Sequence, residues 1–336
     1  MHSLRDEITQ SFRTAPLFAL AVLLTLGVTG IIGLMVFLMV VLKHGFLGIT
    51  HGTDPSHRVH DLTFGFLFGV TVMGLLAQLR RPWANVAGML MALIPWGGLL
   101  LAGILSADVY RVMVINPSRL VAPATVITAL LHPTGRAFFR SFSVSRVNWV
   151  MLALVIIASV PLLAFTIVNI RLQRTVPDDH AAMGHYGFMA AFGFTVIGVS
   201  LLASLRPDGW RLTAWVAGIL PTLLGLVSLA YPGNASSLNR AWALAAIAWG
   251  ILFIVVAELT QAVRSPKHLR SELKGDAGME PDREPATGTP HRVNLFGVIL
   301  LILLLLFMIM MLIGGGHGPG RHLPFGDSGG YPWPLL

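Results

Sequence analysis

Apolar residues in this chain run in long unbroken blocks and not in stripes at helical or strand period. Phe18 to Leu42, Leu62 to Leu79, Val86 to Leu105 and Leu295 to Ile313 carry almost no charge. A hydrocarbon core of ~30 Å takes about 20 helical residues to cross. Blocks of that length, repeated along the sequence, predict an all-α integral membrane protein. Eight stand out, at about 17–42, 62–79, 84–105, 147–169, 186–205, 212–231, 241–262 and 293–313. Arg5 and Arg13 precede the first, but it is longer than the apolar core of a signal peptide, so a retained span is expected there.

Eight spans would gather Arg111, Arg119, Arg136, Arg140 and Arg146 in one external loop, against the tendency of basic residues to stay on the cytoplasmic side. An internal repeat resolves the conflict. Leu75-Leu-Ala-Gln-Leu-Arg80 returns as Leu201-Leu-Ala-Ser-Leu-Arg206, and at the same shift of roughly 126 residues Phe66 meets Phe192, Phe68 meets Phe194 and Pro95 meets Pro221. Asn239-Arg-Ala-Trp-Ala opens a clear span, so the similar Ser118-Arg-Leu-Val-Ala should open one too. That points to a weak span near Arg119 to Phe139, disguised by Pro123, His132, Pro133 and Arg136.

The expectation is therefore about nine transmembrane helices. Residues 1–146 form a first four-helix unit, 147–263 a second in parallel orientation, 264–292 a polar cytoplasmic linker, and 293–336 a ninth helix with a Gly/Pro/His tail. An N-terminus in the cytoplasm and a C-terminus outside place Arg80, Arg81, Arg206, Arg211, Arg264, Lys267, Arg270 and Lys274 on the cytoplasmic side of a multi-pass plasma-membrane protein.

Composition agrees with a bilayer setting. Only 11% of residues are charged and 55% are hydrophobic, whereas a soluble domain is ~25% charged. The net charge of +8 sits between apolar blocks, where it sets orientation, so no nucleic-acid partner is expected. Cysteine is absent, which removes disulfides, thiolate metal sites and covalent haem attachment. Lys43, Lys267 and Lys274 are the only lysines; with abundant Ala, Gly and Leu this suggests a GC-rich bacterial genome.

The nine-span topology sorts the histidines. His44, His51, His57, His60, His180, His185, His317 and His322 fall on the outer side; His2, His132, His268 and His291 do not. The sharpest pattern is His51-Gly-Thr-Asp-Pro-Ser-His-Arg-Val-His-Asp61. Asp54-Pro55 looks like a helix start, with Asp as cap and Pro in the first turn. A helix beginning there would put His57, His60 and Asp61 on one face, with His44 and His51 in the same loop to complete a shell. Imidazoles with a carboxylate and no thiolate suit copper(II) or zinc. Set against this, His and Asp are ordinary residues at a membrane interface, and Asp61 also favours the helix dipole.

In the second unit His180 and His185 are five apart and do not share a helix face, so any site is expected to be asymmetric. Haem b between His60 and His185 is a less favoured cofactor. A small-solute carrier is the alternative function, and Pro95, Pro123, Pro161 and Pro221 could break helices for it. Its usual intramembrane ionisable residue is missing, however: Glu258 alone lies within a span, near one end. A non-catalytic subunit or assembly factor of a membrane complex is the third reading. Gly27, Gly30, Gly33, Gly65 and Gly69 have helix-packing spacing. No Walker loop, HExxH, GxSxG or dinucleotide fingerprint is present, and no enzymatic reaction is expected.

Overall fold

Chains rich in Leu, Ala, Val and Gly in uncharged blocks have one way to satisfy their backbone in lipid short of a closed barrel, which is to coil into helices. The computed structural model describes residues 13–43, 57–135 and 142–264. The helices are α1 (Pro16–Lys43), α2 (Arg58–Arg80), α3 (Val86–Leu105), α4 (Ser118–Leu130), α5 (Trp149–Thr175), α6 (Asp179–Ala182), α7 (His185–Leu205), α8 (Trp210–Ala230) and α9 (Arg240–Arg264). No strand occurs among the described residues. Seven of these helices, all but α4 and α6, are long and apolar enough to cross a membrane. The chain is a multi-pass membrane protein. The ninth helix expected at 293–313, the tail, and the linker beyond Arg264 lie outside the described residues, as do His44 and His51.

The weak span expected near 119–139 is a helix of 13 residues, Ser118–Leu130, about 20 Å long against a core of ~30 Å. Pro133 disfavours helical geometry at His132 before it, and Gly135 follows with a φ of +47°. The segment still packs along the first half of α1. Thr128 Oγ1 lies 2.9 Å from Thr25 Oγ1, and the Phe18 ring meets His132 edge-on at 5.0 Å.

α7 is the central helix, packed against α2, α3, α5 and α8. The core beside it is aromatic: Phe64 stacks on Phe188 at 4.1 Å where the halves meet, and within the first half Phe68 meets Trp96 edge-on at 5.3 Å. One apolar core joins residues from both halves. Large apolar side chains also point outward, among them Ile31 (63% exposed), Ile156 (62%) and Val160 (63%), as expected of a surface that meets lipid. Several buried hydroxyls bond back to the carbonyl one turn earlier, as Thr63 does to Val59 O at 2.7 Å and Thr195 to Ala191 O at 2.7 Å, so these cost little in a dry interior.

Close helix contacts fall at other glycines than the spacing suggests. Among the described residues, no neighbouring atom lies within 4 Å of a Cβ built on Gly27, Gly30, Gly33, Gly65 or Gly69. Close approach occurs where α8 crosses α9, because a Cβ on Gly218 would strike the Gly250 carbonyl oxygen. Pro95, Pro123, Pro161 and Pro221 all sit inside continuous helices, so none opens a broken-helix site.

Alternating helix direction gives the bundle two polar ends. The first collects the end of α2, the starts of α3 and α5 and the end of α7. Arg146 Nη2 donates to Asp208 Oδ1 at 2.8 Å there, and Asn148 caps α5 by accepting from Val150 N and Met151 N. The opposite end collects the starts of α2 and α7 with the short α6, and it holds His57, His60, His180 and His185.

Candidate metal centre

Two loops bring four imidazoles together at that end. His57 stands at the cap position just before α2, and His60 and Asp61 lie in the first turn. The expected start at Asp54-Pro55 falls outside the described residues. His180 lies in α6, which Asp178 caps by accepting from Ala181 N at 2.8 Å. Gly184, at φ +77°, ends that turn and starts α7, so His185 opens a new helix. The five-residue spacing from His180 to His185 therefore spans a reversal and not a helix face. That reversal turns both rings toward His57.

The ligand atoms of His57, His180 and His185 lie within 4.8 Å of one another. His57 Nδ1 and His185 Nδ1 are 3.1 Å apart. Zinc–nitrogen bonds of 2.0–2.1 Å in a tetrahedron place ligand nitrogens about 3.3–3.4 Å apart, so this pair already has nearly the separation a metal would impose. Asp61 Oδ1 stands 3.9 Å from His185 Nε2. A carboxylate there favours a proton on Nε2 and leaves Nδ1 bare, the arrangement common behind metal-ligating histidines. One of the two Nδ1 atoms carries the proton between the rings, and a cation would displace it.

The surroundings hold this geometry. Below the cluster, the stacked Phe64 and Phe188 separate it from the apolar interior, with Phe188 5.6 Å from the His185 ring. Tyr186 OH donates to Asp178 Oδ2 at 2.7 Å, which ties α7 to the α6 cap. Gln173 Nε2 donates to Ala181 O and to Asp108 Oδ2, both at 2.8 Å, and its Oε1 accepts from Gly187 N. One side chain of α5 thus fixes α6 and satisfies a first-turn amide of α7.

Of the residues expected to form a site, His57 is in the close trio, His60 stacks beside it, and Asp61 stands behind His185. His180 and His185 complete the trio; in the sequence they read as an unmatched pair, and the signal that could have joined them is Gly184. His60 and His185, the pair considered for haem, stack at 5.2 Å and 27°, which leaves no room for a macrocycle between them. His132 lies at the opposite end. It is 3% exposed, with Nε2 3.1 Å from Gln78 Oε1 and Nδ1 accepting from Thr134 N at 3.3 Å. Both nitrogens are used, so it is a structural residue.

Comparison of the chain with protein-family models, with curated proteins and with solved structures finds no match to any of them.

Proposed function

We propose that this membrane protein binds a divalent transition metal, copper(II) or zinc, through His57, His180 and His185 at one face of the bilayer. The observation that carries the reading is three imidazoles with ligand atoms within 4.8 Å of one another, drawn from two separate loops. All-nitrogen donors suit these two ions, and without cysteine there is no thiolate to favour a softer one. The carrier reading lacks comparable support. Glu258 is held by Arg211 at 2.6 Å and by Trp215 Nε1 at 2.7 Å, near one end of its helix.

The site face is the outer face of the plasma membrane in this reading, with the N-terminus inside. Arg80, Arg81, Arg146, Arg206 and Arg211 lie at one end of the bundle, but Arg58, Arg111, Arg119, Arg171 and Arg174 lie at the other. The orientation is therefore argued from the further basic residues 267, 270 and 274 that follow α9. A parallel repeat agrees with two contacts between residues related by the repeat shift: Phe66 with Phe192 at 6.4 Å and His60 with Tyr186 at 5.6 Å.

Elemental analysis of detergent-purified protein after metal-replete expression tests the function. Wild type should carry about one copper or zinc per chain, and His57→Ala should carry none while inserting normally. Wild type without stoichiometric metal, or His57→Ala binding as wild type does, sinks the reading. Reporter fusions after residues 110 and 142 test the orientation; the first should read outside and the second inside, and a reversed pair would place the site in the cytoplasm.

A further inference from the structure

We infer that His60 is a fourth ligand, binding through Nδ1, and that Ser236 and Asn169 are positioning residues that keep this nitrogen bare. The inference rests on the metal reading above and specifies the coordination of that site.

The directions of the hydrogen bonds settle the tautomer. Asn169 Nδ2 donates to Phe165 O at 2.9 Å, so its Oδ1 faces the other way. Ser236 Oγ donates its only proton to that Oδ1 at 2.7 Å. The Ser236 oxygen, 3.2 Å from His60 Nε2, can then only accept, so the His60 proton is on Nε2. Nδ1 is left with a lone pair. It is buried, His60 is 0% exposed, and Nδ1 has no hydrogen-bond partner among the described residues. A bare acceptor nitrogen in a dry site is costly unless something electron-poor meets it.

Position agrees with this. The His60 ring centroid lies 4.7 Å from His180 and 5.2 Å from His185. Within the trio the corresponding separations are 4.2, 5.0 and 5.8 Å. His60 thus lies nearer to His180 and to His185 than those two lie to each other, although its ligand atoms stand outside the 4.8 Å group that the trio forms. The bridge is also built at a cost. Ser236 has a φ of +63°, in the left-handed region that a non-glycine residue seldom adopts, and it is 5% exposed. Such conformations persist where the surroundings over-determine them. Here the strained residue lies between His60 and a buried amide.

With four imidazoles the coordination shell closes. His57 and His60 come from the first half of the chain and His180 and His185 from the second, so the ion would join the halves. A closed tetrahedron has no position for a reacting water, unlike a catalytic zinc. The ligand class is therefore a structurally held divalent ion.

Cobalt(II) substitution tests this, since four-coordinate tetrahedral cobalt absorbs visible light far more strongly than five- or six-coordinate cobalt. Wild type should show the intense spectrum. His60→Ala should lose that intensity and bind zinc at least about 100-fold more weakly, a loss at or beyond the top of the range for outer-shell changes. Ser236→Ala and Ser236→Gly should both weaken zinc about 10- to 100-fold, although only the glycine relieves the backbone. Equal loss in two variants of unequal stability marks the hydroxyl, and not the loop, as the cause. Cobalt bound in wild type with a weak spectrum, or zinc affinity unchanged in His60→Ala or in both Ser236 variants, overturns the fourth ligand and leaves the three-histidine site standing. Wild type that binds neither cobalt nor zinc overturns both.

Discussion

His132 and the four-histidine cluster occupy opposite ends of the same bundle, and both are buried. They differ in what faces their nitrogens. His132 meets an amide oxygen on one side and the Thr134 turn on the other, a local arrangement that latches the end of α4 to the end of α2. In the cluster, imidazole faces imidazole: His57 and His185 share one short contact, and His60 Nδ1 meets no donor among the described residues. Burial of an imidazole is therefore no sign of function by itself. What separates the ends is whether the protein supplies the partners or leaves a position for something else to do so.

The largest effect that tests this contrast is loss of metal. His185→Ala removes the nitrogen that lies 3.1 Å from His57 Nδ1 and should lower zinc affinity by at least about 100-fold, since even outer-shell changes cost 10- to 100-fold. His132→Ala should keep full metal occupancy. It should instead lower thermal stability, because it empties space beside Phe18 and leaves Gln78 Oε1 without its imidazole, a change of about 2–4 kcal/mol. Metal loss in His132→Ala would erase the distinction between the two ends.

Acid should act on the two ends differently. Burial pushes the His132 imidazole down to about 4, while an unfolded histidine titrates near 6.5. The fold thus favours the neutral form, and the unfolded chain binds more protons between those values. The His132 contribution is whole above about pH 6.5 and is lost as pH falls toward about 4, on the order of 3 kcal/mol in all. Melting curves of metal-free protein should show that decline, and His132→Leu should flatten it. Metal binding should weaken once acid protonates the cluster, because imidazole coordinates only when neutral. Its midpoint should not move in His132→Leu. If it does, the two ends are coupled through the bundle.

The membrane spans were legible in the sequence because crossing lipid imposes a length and a polarity that few arrangements of residues satisfy. The blocks at 62–79, 84–105, 186–205 and 212–231 match α2, α3, α7 and α8 to within a few residues. The fourth segment was harder, since Pro133 and Gly135 shorten it in a way that repeat alignment does not register. Half of the candidate site was also legible. His57 and His60 form a visible cluster because they flank the start of one helix, whereas His180 and His185 sit on two helices separated by the Gly184 reversal. The meeting of the two loops is a tertiary fact, set by α2 packing on α7. Ser236 and Asn169 gave no signal, since a lone Ser after a turn and an Asn near a helix end are ordinary at those places.

The smallest effect expected is at Asp61, and it bears on how the cluster works. The sequence suggests Asp61 as a ligand; the geometry puts it 3.9 Å behind His185 Nε2, where a carboxylate raises the basicity of the ligating nitrogen from the far side of the ring. Asp61→Asn keeps the size and removes the charge. If Asp61 acts from behind, zinc affinity should fall only about tenfold, at the mild end for outer-shell partners, and the cobalt spectrum should keep its shape. If Asp61 binds the ion directly, the variant should change the spectrum as well as the affinity, because a carboxylate oxygen would have left the shell. Titration of zinc into wild type and Asp61→Asn beside cobalt spectra of both separates the cases. A spectral change would move Asp61 into the shell and displace one of the four histidines from it.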